Sequence, residues 1–200
     1  MLWKTEFSPL LKDFELKHQP VIIRVNKFDE KAAQDFNSKM AAAQSTGQKV
    51  VPVVIDSYGG QVYSLMSMIS AIKSSEIPVA TIVEGKAMSC GAVLLSFGEQ
   101  GMRFADEDAT IMIHDVSSGG RGKIEELKAD VAEADRLDEK IFTMMARNCG
   151  KKDDYFKKKV FNKKHADWFM DASEAKRHGL VNHIRVPRMT VKVDVDIDFE

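Results

Sequence analysis

Ser89 in "AMSCGAVLLSFG" (87–98), His114 closing "ATIMIH" (109–114), and Asp167 and Asp171 in "DWFMDASEAKRHGLV" (167–181) have side chains that could combine into nucleophilic chemistry. A serine hydroxyl attacks a carbonyl only when an imidazole takes its proton, and the imidazole needs an acid to hold its tautomer and stabilise its charged form. Each residue also has an ordinary reading. Ser89 alone reads first as a helix cap or a small packing residue, and a histidine at a strand end reads as a group satisfied by one hydrogen bond. "SYGG" (57–60) alone reads as a turn. Together they suggest more. Ser89 lies where an apolar strand gives way to a helix, beside free N–H groups and the positive end of a helix dipole that can stabilise an oxyanion. Gly59 and Gly60 allow positive φ and close approach, so their N–H groups can aim at the same spot.

The elements that must position these residues follow from the apolar pattern. "PVIIRV" (20–25), "VVPVVID" (50–56), "PVATIVEG" (78–85) and "ATIMIH" are short β-branched runs, read as strands. Between the first two, "DEKAAQDFNSKMAAAQ" (29–44) is Ala-rich and helical in character. After the double glycine, Val62, Leu65, Met66, Ile69 and Ile72 recur at helical spacing. Strand and helix alternate, which predicts an α/β domain with a largely parallel sheet, His114 being delivered to the sheet rim where ligand sites lie. From about Lys123 to Asn148, Ile124, Leu127, Val131, Ala134, Leu137, Ile141, Met144 and Met145 form one apolar stripe, predicting an amphipathic helix of about seven turns behind the flexible "SSGGRG". The tail "MTVKVDVDIDFE" (189–200) alternates strictly and reads as a strand with one buried face over about 189–199.

Composition narrows the classes. The 200 residues suit one domain spanning 1–200. With 29 Lys plus Arg against 30 Asp plus Glu, the net charge of −1 gives no electrostatic footprint for nucleic acid or a membrane surface. The seven lysines between 151 and 164 are interrupted by Asp153 and Asp154 and read as a solvated helix face. Two cysteines, Cys90 and Cys149, are too few for a disulfide framework, and Cys90 reads as a small buried thiol. His165 and His178 have no metal-ligand spacing with the cysteines, so no metal and no cofactor is expected. Residues 1–20 carry Glu6, Asp13 and Glu15 and read as neither signal nor transit peptide, and no run reaches membrane-spanning length; a cytoplasmic protein is expected.

Four motifs in order, "VIDSYGGQV", "AMSCGAVLLSFG", "ATIMIHDVSSGGRG" and "DWFMDASEAKRHGLVNHI", resemble the proteolytic subunit of the Clp protease, the ClpP family of serine peptidases, over about residues 50–184. The resemblance implies a ClpP/crotonase-like fold of stacked β-α-β units, with a projecting handle helix at about 123–148. It implies Ser89 as nucleophile, His114 as general base, Asp167 as the acid, and backbone N–H groups of Gly60 (with Gly59 beside it) and Cys90 as the oxyanion hole. Asp171 then reads as an N-cap, with Glu174 completing a capping box. The family's subunits form heptameric rings stacked as a 14-mer around peptide or unfolded-protein substrates. No G-x-x-x-x-G-K-[ST] stretch occurs, so ATP hydrolysis would belong to a separate AAA+ unfoldase. Tyr58 and Val116 stand where the family usually has proline. Four alternatives remain: a Ser–Lys dyad peptidase of the signal-peptide-peptidase type, a crotonase-type enzyme without an activated serine, a silent ring subunit, and a free-standing protease.

Overall fold

β-branched runs too apolar for a half-exposed sheet build the centre of the molecule. The computed structural model describes residues 4–5, 19–117 and 119–191. In chain order its elements are β1 (Lys4–Thr5), β2 (Ile23–Val25), α1 (Glu30–Ala43), β3 (Val51–Ser57), α2 (Val62–Lys73), β4 (Val79–Met88), α3 (Cys90–Leu95), β5 (Arg103–Ala105), β6 (Thr110–Ile113), α4 (Ile124–Asn148), α5 (Tyr155–Asn162), β7 (Trp168–Met170), α6 (Ala172–His178), β8 (His183–Ile184) and β9 (Thr190–Val191). The main sheet runs β2-β3-β4-β5-β8, all parallel. β3 is buried on both faces, as expected of a parallel strand covered by helices on either side. The predicted α/β class and its ClpP-like stacking of β-α-β units therefore hold.

β4 is long because it serves two partners. Its first half pairs with β5 through Thr81↔Arg103 to Val83↔Ala105, and its second half pairs with β6 through Lys86↔Thr110 to Met88↔Met112. The β3–β4 register shifts between Ile55 and Ser57, and there Gly85 lies so close to Asp56 that a Cβ would come within 3.1 Å of its carboxylate. A bulge of this kind bends and re-aims a strand. The redirected end of β4 carries the chain toward β6, which continues antiparallel to β7 with Ile111↔Met170 and Ile113↔Trp168 in register.

The helices cover this frame by their apolar faces. α1, capped by Asp29 accepting from the Ala32 N–H at 2.7 Å, buries Ala33, Phe36, Met40 and Ala43 and packs on α2, which buries Leu65, Met68, Ile69 and Ile72. Arg103, fully buried at the start of β5, donates to the Asn182 side-chain oxygen, to the Asn148 carbonyl at 2.9 Å and to Gln100 Oε1 at 2.6 Å, tying the sheet to the C-terminal end of α4. α4 spans the predicted range, with the Glu126 carboxylate accepting from the Lys123 N–H at its start.

The stripe on α4 divides in two. Ile124 and Val131 are 72% and 68% exposed, whereas Leu137, Ile141 and Met145 are buried and this half of the helix packs on α5. The exposed part is the start of α4, for Tyr63 of α2 already donates to Glu133 at 2.6 Å, so Leu137 is a core residue here rather than part of a free face. β1 and β9 pair in parallel, Lys4 with Thr190. Of the predicted tail strand, Thr190 and Val191 are in β9, and 192–199 lie outside the described residues.

Candidate functional site

Ser89 is the single residue between β4 and α3. Its backbone has φ 53° and ψ −121°, a conformation an L-residue keeps only when its surroundings dictate it. Here they do: the Ser89 N–H donates to the Met112 carbonyl on β6 at 2.9 Å, and its own carbonyl accepts from Ala92 and Val93 at 3.0 and 3.2 Å. The hydroxyl makes no capping hydrogen bond to α3. The ordinary role of a serine at a helix start is therefore not the role of this one.

The double glycine closes over it. At Gly59, φ is 108°, and a Cβ there would sit 2.7 Å from Ser89 Cβ and 3.2 Å from Ser89 Oγ. At Gly60, φ is 149°, and a Cβ would strike the Phe28 carbonyl oxygen at 2.4 Å. The Gly59 N–H donates to Ser57 Oγ at 3.1 Å. That of Gly60 has no acceptor among the described residues, and the N–H of Cys90, at the first helical position, has no intrahelical one. Of the three predicted oxyanion groups, these two are open and Gly59 is occupied. The Cys90 thiol donates to the Gly60 carbonyl at 3.2 Å, and burial pushes its pKa up, so it packs and tethers the turn as the neutral group its sequence position suggested.

Ser89, Gly60, Cys90 and His114 line one cavity of about 50 Å³, walled by Ile141, Phe142 and Met145 of α4. Its size admits a few waters. No hydrogen bond joins Ser89 to His114 among the described residues. Asp167 is exposed, lies outside this lining and has no ionic or hydrogen-bond partner there. The β6–β7 ladder nevertheless fixes its neighbourhood. The ladder ends with Ile113 opposite Trp168, so His114 and Asp167 are the first residues beyond it on the two segments. Asp171, by contrast, caps α6, accepting from the Glu174 N–H at 2.6 Å. The expected capping box is not completed: Glu174 Oε1 accepts from the Trp168 indole N–H at 3.0 Å instead, because a buried indole needs an acceptor.

Two carboxylates at the site were absent from the sequence reading. Asp138 of α4, almost buried, lines the cavity and accepts from the Val116 N–H at 3.0 Å. Burial pushes its pKa up against that hydrogen bond. Its signal was an acid set among Leu137, Ile141 and Phe142, on the apolar side of the helix. Asp115, next to His114, pairs with His165.

The Clp protease family model matches residues 12–188. The chain belongs to the Clp protease family. That membership makes this Clp protease a hydrolase of peptide bonds and gives the cavity beside Ser89 its setting. No helix among its described residues is long and apolar enough to cross a membrane.

Proposed function

We propose that this Clp-family protease is a serine endopeptidase acting through Ser89, His114 and Asp167. The observation that carries the reading is the backbone of Ser89, held in a costly conformation with its hydroxyl spared from capping and facing a cavity shared with His114. In the mechanism, His114 removes the Ser89 proton as Oγ attacks the scissile carbonyl, and then gives that proton to the leaving amine. Asp167 holds the imidazole in the tautomer this requires. The Gly60 and Cys90 N–H groups stabilise the tetrahedral oxyanion, each worth on the order of 3 kcal/mol. Water then releases the acyl group by the same route reversed.

By family likeness the subunits form heptameric rings stacked in pairs, enclosing the sites, with α4 as the handle between rings and an AAA+ unfoldase feeding substrate in the cytoplasm. The exposed Ile124 and Val131 support the handle reading. The Ser–Lys alternative is weaker, because no lysine among the described residues lines the cavity and Lys86 is held by Asp56 at 2.8 Å. Cleavage of short peptides, assayed without ATP, tests the proposal. Ser89→Ala and His114→Ala are each expected to lower kcat by about 10³-fold or more. Full activity in His114→Ala would favour the Ser–Lys dyad.

A further inference from the structure

The β6–β7 ladder ends at Ile113↔Trp168, yet its two segments are joined again just beyond that pair. His165 Nδ1, two residues before Asp167, donates to the carboxylate of Asp115, one residue after His114. The pair thus closes the short stretch beyond the ladder on which His114 and Asp167 lie. We infer that Asp115 and His165 form a clamp that positions Asp167 against His114, an inference that rests on the triad reading above.

Each half of the clamp is anchored to a different element. On one side, the Val116 N–H donates to Asp138 of α4, which fixes the segment carrying Asp115. On the other, the chain leaves α5 through two successive left-handed non-glycine residues, Lys164 at φ 60° and His165 at φ 57°. Such a pair persists only where contacts over-determine it. The His165 N–H donates to the Val160 carbonyl at 3.1 Å, and the Phe161 ring meets the imidazole edge-on at 5.4 Å. The turn therefore aims the imidazole at Asp115 and leaves Asp167 two residues downstream, on the run into β7. Neither residue touches the reacting atoms; both are positioning residues. The His165 and Asp115 side chains are 58% and 32% exposed, so the pair adds little to global stability. Its loss should appear in rate and in the state of His114 rather than in melting.

Asp115→Asn and His165→Gln, made singly and together, test the clamp. For a short peptide each is expected to lower kcat about tenfold with KM within about twofold, and the double variant to fall no further than the singles, the non-additivity of two partners in one contact. The His114 Nδ1 proton, followed by NMR in a Ser89→Ala background, gives a reading independent of turnover. A carboxylate that accepts from that N–H moves its resonance downfield, so Asp167→Asn and His165→Gln should both move it upfield. Additive losses in kcat, or a His114 resonance that responds to Asp167→Asn and not to His165→Gln, would overturn the clamp while leaving the triad standing. Should the protein neither cleave peptides nor accept a serine probe, the triad reading fails. The clamp is then decided by the resonance alone: a shared response supports it, and indifference to both substitutions overturns it.

Discussion

Two aspartates four positions apart carry opposite expectations. Asp167 is exposed and has no partner among the described residues, and with His114 it lies just beyond the Ile113↔Trp168 pair, so on the proposed mechanism Asp167→Asn is expected to leave the melting temperature unchanged and to cut kcat by roughly 10³- to 10⁴-fold, since an amide stabilises the wrong imidazole tautomer. Asp171 caps α6, so Asp171→Ala should leave turnover near normal and cost about 1 kcal/mol of stability. Peptide kinetics beside thermal melts check both, and a large rate loss confined to Asp171→Ala would reverse the assignment. Asp138 adds a pH signature. Its pKa, raised by burial above the ordinary 3.8, means that the folded state binds the proton more tightly than the unfolded chain. The contribution of this carboxyl to stability is therefore greatest at low pH and is lost as pH rises through the interval above 3.8. Asp138→Asn has no such term, and its amide oxygen can still accept from Val116. The melting temperature of the variant, relative to wild type, is expected to rise as pH climbs from below 3.8 to neutrality, and a constant difference would contradict the account.

α4 shows what a helical period can and cannot convey. Its stripe is uniform from Ile124 to Met145, because the spacing that buries a face in its own domain is the spacing that buries it in a neighbour. Only the fold separates the exposed Ile124 and Val131 from the buried Leu137 and Ile141. The two halves should respond differently to charge. Val131→Glu is expected to keep the melting temperature of the subunit and to separate paired rings in native mass spectrometry. Leu137→Glu is expected to destabilise the subunit itself by several kcal/mol, through an unpaired charge in the core. Intact ring pairs in Val131→Glu would remove α4 from the interface. Elsewhere, the long β-branched runs of β3 and β4 and the helices α1 and α2 were legible because each repeats its pattern over several turns or pleats. β5, β7 and β8 were not read: two or three residues are too few to establish a period, and their pairing comes from contacts distant in sequence. Ser89 and His114 were legible because residue type and element boundary coincide. Asp138 and Asp115 were passed over because their place depends on how α4 and the α5–β7 turn fold back on β6.

For the whole molecule, a net charge of −1 and a cavity of about 50 Å³ leave selectivity to what reaches Ser89 rather than to long-range attraction or a deep pocket. In the proposed assembly the subunit would supply the activated serine and the ring would restrict access to it. The proposed mechanism requires that His114 activate Ser89. Reaction with a fluorophosphonate, followed by mass-spectrometric mapping of the adduct, tests it most directly. The account predicts one adduct, on Ser89, abolished in Ser89→Ala and slowed by about 10³-fold or more in His114→Ala. An adduct on another residue, no adduct at all, or an undiminished labelling rate in His114→Ala would contradict it.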